Sequence, residues 1–140
     1  MRKENNYYDL SVRYKCLFKL LNNSSLAVTH ELAKHQPDEI YLSTVVQLEL
    51  YYGAYKSSRK EQNLAKLERF FNQFKILPFD KNSAKIAGRI RSQLNQLGIP
   101  VGGYDLQIAA IAMANELILI THNIREFSRI DGLKYEDWEI

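Results

Sequence analysis

Two acids and one strand end are the chemically informative positions of this chain. Asp105 follows the stretch Gly98-Ile99-Pro100-Val101-Gly102-Gly103-Tyr104 and opens an apolar run, Asp105 to Ala114, rich in alanine and isoleucine. Such a run reads as a buried helix. Directly after it, Leu117-Ile118-Leu119-Ile120-Thr121 reads as a buried strand. Open α/β sheets keep their ligands at the carboxyl ends of such strands. Asp105 therefore has two readings. It is a first-turn aspartate favoured by the helix macrodipole by about 0.3–1 kcal/mol, or it is a ligand for a cation. Gly102-Gly103 weighs toward the second, because a glycine pair lets backbone approach something closely and a simple cap needs no such opening.

Glu49 is the second acid. On a helix its neighbours three and four positions away are Val45, Val46, Tyr52 and Gly53, an apolar side. A glutamate facing a core is costly unless paired, protonated or bound to a cation; the plainer alternative is that it snorkels to the surface at a helix edge. Thr121-His122-Asn123 ends the buried strand, so it is either part of a site or a set of turn-forming residues. His122 has the chemistry of a base, but no Ser or Cys nucleophile sits in a recognisable elbow. His30 and His35 are five apart and share no helix face, which argues against zinc. No Gly-x-x-x-x-Gly-Lys phosphate loop is present. The run Lys56-Ser57-Ser58-Arg59-Lys60 reads as a solvated connection, with an RNA contact as the sharper alternative.

These positions must be held by an ordinary domain. The chain has 140 residues, 46% hydrophobic and 25% charged, with a formal charge of +3. That is enough for one single-domain core over residues 1–140, and the mild positive charge permits an RNA partner without demanding one. The first residues, Met1 to Asn6, are polar and lead into no apolar core, so no signal peptide is expected. No stretch reaches the ~18 apolar residues of a membrane span, so no membrane partner is expected. A lone cysteine, Cys16, excludes an internal disulfide and fits a reducing compartment.

The elements alternate. Ser24-Ser25 predicts a cap for a helix from about Leu26 to Lys34, closed by Pro37-Asp38. Ile40 to Ser43 reads as a strand. Thr44 and Gln47 form a capping box for a helix from about Val45 to Tyr55, and another helix covers about Glu61 to Phe74. Lys75-Ile76-Leu77-Pro78-Phe79 is a strand whose proline favours an edge or an end. Asp80 caps a long helix with Ala84, Ala87, Ile90, Leu94 and Leu97 on one face, and Gly98 stops it. After the Asp105 helix and its strand come a helical turn near Arg125-Glu126-Phe127 and a last strand, Leu133-Lys134-Tyr135. The pattern predicts an α/β fold in three layers, a mainly parallel central sheet flanked by helices.

Several segments together resemble one family. They are Gln47-Leu48-Glu49-Leu50-Tyr51-Tyr52-Gly53-Ala54, Leu77-Pro78-Phe79-Asp80, Gly98 to Asp105, Thr121 to Phe127, and Glu136-Asp137-Trp138. In this order they look like the PIN-domain family, and within it the chain is similar to VapC-type toxins of type II toxin–antitoxin systems. The resemblance runs from about Lys19 to the C-terminus. It implies a PIN-like fold and a cytoplasmic, Mg²⁺-dependent endoribonuclease, with Mn²⁺ as a substitute metal. It also implies a VapB-type antitoxin as partner, RNA (tRNA in related toxins) as substrate, and the homodimer common among similar toxins. By motif match Glu49 and Asp105 are the second and third family acids and the metal ligands. The fourth position falls in Thr121-His122-Asn123, where Asn123 replaces an acid, and Glu126 supplies a carboxylate near by. Mg²⁺ is hard and keeps several waters, so a few carboxylates hold it; it activates a water and offsets charge at the scissile phosphate.

The family's first motif is an apolar strand ending in Asp-Thr-Asn. This chain has Arg13-Tyr14-Lys15 there, a cation in place of a ligand. The strand also departs from expectation, since a central parallel strand is apolar on both faces while Asp9, Ser11 and Arg13 alternate with Leu10, Val12 and Tyr14. A reading-frame slip accounts for both. Asp9 to Cys16 can be encoded GAT TTA TCT GTT AGA TAC AAA TGT, and one base later the same DNA reads Ile-Tyr-Leu-Leu-Asp-Thr-Asn-Val. The codons are one choice among synonyms, so this establishes compatibility. Residues 1–17 are accordingly treated as atypical and as a candidate out-of-frame segment. Asp9, the only nearby acid, lies four residues too early to be expected as a substitute.

The chain as written is therefore expected to be an endoribonuclease toxin with impaired cleavage. A non-catalytic PIN-like module that binds RNA or sequesters an antitoxin is the alternative from a different class. An α/β regulator or phosphohydrolase with an acidic pocket is a third, and it needs a nucleophilic aspartate at the end of the first strand.

Overall fold

A computed structural model describes residues 6–11 and 33–138. Its strands are β1 (Tyr8–Leu10), β2 (Ile40–Ser43), β3 (Lys75–Leu77), β4 (Ile118–Ile120) and β5 (Tyr135–Glu136). Its helices are α1 (Thr44–Tyr55), α2 (Lys60–Phe71), α3 (Lys81–Leu97), α4 (Gly103–Ala114) and α5 (Ile124–Phe127), with a 3-10 turn at Pro37–Glu39. The helix predicted from Leu26 falls, except for its last two residues, outside the described residues, as do Arg13-Tyr14-Lys15 and Cys16.

The strands form one sheet in the order β3-β2-β1-β4-β5, and every described pairing is parallel. The chain steps outward from β1 to β3, then returns to the other side of β1 for β4 and β5. That reversal makes the carboxyl ends of β1 and β4 a topological switch point, where a crevice opens in α/β sheets of this kind. The predicted three-layer α/β architecture is the observed one, and its sheet is parallel throughout.

The first strand is the surprise. Tyr8-Asp9-Leu10 takes the central place, with Asp9 level with Tyr41 of β2 and Leu119 of β4. The sequence argues against this segment as a central strand, yet backbone pairing on both sides outweighs the mismatch of one side chain. The cost is visible: Asp9 is fully buried and neither carboxylate oxygen has a hydrogen-bond partner.

The core is built of Leu10, Ile40, Leu42, Leu119 and Ile120 from the sheet, with Leu50, Leu67 and Ile111 from the helices. α4 buries Ala109, Ala110, Ile111 and Ala112 completely. Its small side chains let α3 lie along it, the most extensive helix packing among the described residues.

Local details correct the sequence reading in five places. The cap of α1 is Ser43, whose hydroxyl accepts from Val46 N at 3.1 Å, one residue before the predicted Thr44. Phe74 lies beyond the end of α2 but still meets Phe70 edge-on at 5.1 Å. On α3 the buried positions are Ser83, Ala87, Ile90 and Leu94, while Ala84 and Leu97 are exposed. Asp80 accepts from both the amide and the hydroxyl of Ser83 and so turns Ser83 inward. α4 begins at Gly103, so Asp105 is its third residue. The last strand is Tyr135–Glu136, set by the bond from Thr121 N to Glu136 O. Pro78 follows β3, which is an edge strand, as its proline predicts.

Candidate functional site at the carboxyl ends of β1 and β4

Thr121 directly follows β4, bonds through its amide to Glu136 O and is buried. Its hydroxyl accepts from Asn123 N at 3.0 Å, which turns the chain out of the sheet. The turn aims the Asn123 amide at α4, where Nδ2 donates to Asp105 Oδ2 at 3.2 Å. Residues 18 apart are thus joined over the end of the central sheet.

Asp105 reaches this point from the other direction. Gly102 is the N-cap of α4 and supplies no side-chain cap bond, so Asp105 is a first-turn acid and not the cap. A Cβ built on Gly102 or Gly103 meets nothing within 4 Å, so the space beside this approach is open. Arg129 holds the approach from outside by donating Nη1 to Pro100 O at 3.0 Å.

The other candidates stand on neighbouring elements. Glu49, in the middle of α1, is half-buried beside Val45, Val46 and Gly53, and it makes no hydrogen bond or ion pair among the described residues. Its neighbour Tyr52 is exposed, so Glu49 borders the apolar side without being sunk in it. Helix α1 packs against α4, the helix of Asp105. Glu126 on α5 encloses one oxygen, Oε2, with no partner. His122 pairs with Asp137 through Nδ1 and Oδ2 at 3.0 Å. The sequence marked Asp137 only as part of a motif and carried no signal for this pairing.

Asp9 sits on the strand that should supply the first acid, at its middle and not at its end. Burial alone pushes its carboxyl up to about 7. A group so enclosed favours its neutral form and makes a poor metal ligand.

The described residues offer few donors for a metal such as Mg²⁺. Asp105 and Glu49 offer carboxylates, one partner of Asp105 is the neutral amide of Asn123, and no three His, Cys, Asp or Glu side chains converge among the described residues. Mg²⁺ takes near-octahedral oxygen coordination but usually keeps several waters beside one or two carboxylates, so these two acids suit it in kind, with water left to fill the shell.

Comparison with known proteins decides the ancestry of this crevice. A family model described as "PIN domain" matches residues 15–133. The chain belongs to the PIN-domain family. Within the PIN family the chain is similar to VapC proteins. It is 39% identical over 123 residues to the tRNA(fMet)-specific endonuclease VapC of Shigella flexneri, covering 88% of this chain and 92% of that one. It is 41% identical over 108 residues to Ribonuclease VapC2 of Rickettsia felis, covering 77% and 79%. Its fold matches the structure of DNA-bound VapBC from Salmonella typhimurium with a TM-score of 0.84 and 34% identity, covering 95% of this chain and 98% of that one.

Proposed function

We propose that this PIN-domain chain is an endoribonuclease toxin of the VapBC type whose cleavage is impaired because Arg13 stands where the family pattern has its first acid. The observation that carries the reading is the Asp105–Asn123 bond. It joins the third acid position of the motif to the fourth at the switch point of the sheet. The names of the relatives give the chemistry its direction: endonuclease or ribonuclease, with tRNA as the substrate of one.

In this reading Mg²⁺, or Mn²⁺ in its place, is held by Asp105 and Glu49 with water filling the remaining positions. Such an ion supplies charge for the scissile phosphate and a more acidic water. Thr121 fixes the turn that carries Asn123, Asn123 orients Asp105, and Glu126 adds an acid at the rim. Two carboxylates bind Mg²⁺ weakly, which is why cleavage is expected to be slow.

The partner is a VapB-type antitoxin, and a homodimer completes the assembly. Support comes from the exposed large side chains Leu48, Tyr52 and Tyr55 on α1 and Leu97, Ile99 and Tyr104 around the start of α4. No helix among the described residues is long and apolar enough to cross a membrane, in keeping with work in the cytoplasm.

The test is incubation of the purified chain with tRNA in Mg²⁺ and in EDTA. Slow cleavage that EDTA abolishes supports the reading. Cleavage that ignores EDTA overturns the metal assignment. A chain that binds an antitoxin and RNA but never cuts is the non-catalytic module instead.

A further inference from the structure

Helix α3 is charged in one sense only. Lys81, Lys85, Arg89 and Arg91 are all exposed, and no acid stands among its 17 residues. Together α3 and α4 carry these four cations and one acid, Asp105, an excess equal to the +3 of the whole chain. Lys81, Lys85 and Arg89 recur every four residues, about 6 Å apart along the axis. They form a ridge opposite the buried Ser83, Ala87, Ile90 and Leu94. Like charges at that spacing repel and weaken a helix, and Lys81 stands at the end where the macrodipole disfavours a cation. None of the four makes an ion pair or a side-chain hydrogen bond among the described residues. The nearest acid in the chain, Asp80, has its Oδ1 engaged by Ser83. Gly88 lies on the same ridge, and a Cβ built there meets nothing within 4 Å. Packing therefore does not require a glycine that weakens the helix. Local rules broken together on one face point to a function for that face.

The arrangement fits a polyanion with regularly spaced charges. Lysine, arginine, serine and glutamine side chains hold the phosphates of nucleic acids, and Ser92 and Gln96 continue the ridge as exposed residues. A protein partner takes aromatic or aliphatic anchors, whereas the exposed large apolar side chain of α3, Leu97, is its last residue. Gly88 lets a backbone lie close against the helix. The ridge also connects to the candidate site. Arg91 and Asn95 share a cavity of about 260 Å³ with Pro100 and Gly103, and Gly103 is two residues before Asp105. We propose that Lys81, Lys85 and Arg89, with Arg91 as the link, form a docking track for the phosphates of an RNA strand whose adjoining segment reaches Asp105. The proposal rests on the endoribonuclease reading but concerns binding, so it is tested without cleavage. A merely solvated basic face is the competing account.

The experiment measures binding of a labelled single-stranded RNA in EDTA over a range of salt concentrations, with thermal melts alongside. Each phosphate contact adds about 0.7 to the steepness with which log K falls against log salt for a single strand. K81Q/K85Q/R89Q is expected to lower that slope by about two and to weaken binding at low salt about tenfold or more. Its melting temperature is expected to equal or exceed the parent's, because the like-charge pairs are gone. R91Q is expected to lower the slope by about 0.7. R69Q/K75Q/K134Q removes the same charge from exposed positions on α2 and at the amino ends of β3 and β5. That control is expected to keep nearly the parent's slope. A ridge variant no different from the control overturns the proposal and leaves the endoribonuclease reading intact. Retained RNA binding with lost binding to polyglutamate assigns the ridge to an acidic protein and also overturns it. A parent chain that binds no RNA overturns both.

Discussion

Asn123 donates its side-chain amide to Asp105 at 3.2 Å, tying the turn after β4 to the first turn of α4. The donor is a neutral amide, which occupies a lone pair of Oδ2 and leaves the carboxylate its charge. Asn123→Asp places two carboxylates in contact, which repel one another until a cation or a proton separates them. The variant is expected to melt below the parent in EDTA and to regain several degrees with Mg²⁺, as ligand binding to the folded state requires. An Mg²⁺ effect no larger than that of the parent counts against this geometry.

Asp105→Asn keeps the size and an oxygen that accepts from Asn123 but removes the charge. Whatever RNA cleavage the chain shows is expected to fall on the order of 10²-fold, the typical loss when one electrostatic contributor is removed. Melting is expected to stay nearly the same, because a half-exposed first-turn acid contributes only about 0.3–1 kcal/mol. Single-turnover cleavage together with a thermal melt separates the two effects.

Asp9 predicts a pH dependence of stability. Its carboxyl lies at about 7 when folded, by burial, and near 3.9 when unfolded, so the folded chain binds this proton more tightly. Its stabilising protonation is complete below about pH 4, is lost as pH rises through that window, and is gone above about pH 7. Asp9→Val fits a central strand and removes the titration. It should stabilise the chain at pH 8 by on the order of 4 kcal/mol at most, at about 1.36 kcal/mol per pH unit across the window, and by much less at pH 4. Denaturant melts at the two values check this, and an equal gain at both contradicts the burial argument.

Ser43 and Thr44 give a cleaner local test. Ser43 is fully buried and its hydroxyl holds Val46 N, so Ser43→Ala is expected to cost about 1 kcal/mol. Thr44→Ala is expected to cost little, since Thr44 is an exposed residue of the first turn. Equilibrium unfolding of both variants shows which residue is the cap.

The capping pair shows why some of the structure was legible and some was not. Ser43 and Thr44 have the same capping chemistry, and only the path of β2 decides which one stops the strand. Asp80 and Gly98 stand where no neighbour competes, and both bound α3 as read from the sequence, Gly98 with a φ of 70°. For the site, Asp105, Glu49 and Thr121-His122-Asn123 stand out by residue type beside apolar runs. The bond between Asp105 and Asn123 and the pairing of His122 with Asp137 depend on which strand ends are neighbours, and spacing along the chain does not carry that. Asp9 misled for a related reason. Its polarity argues against a central strand, but the sheet needs a strand between β2 and β4 and takes Tyr8–Leu10.

The central claim is a VapC-type nuclease site that lacks one acid, and its most direct test is Mg²⁺-dependent RNA cleavage by two chains. One is this sequence. The other carries R13D, Y14T and K15N, which place Asp-Thr-Asn where the family pattern has it. The account predicts slow, EDTA-sensitive cleavage by the first and at least about tenfold faster cleavage by the second, since a charged group at the scissile phosphate is worth that much or more. Equal rates in the two chains, whether both fast or both absent, would contradict it.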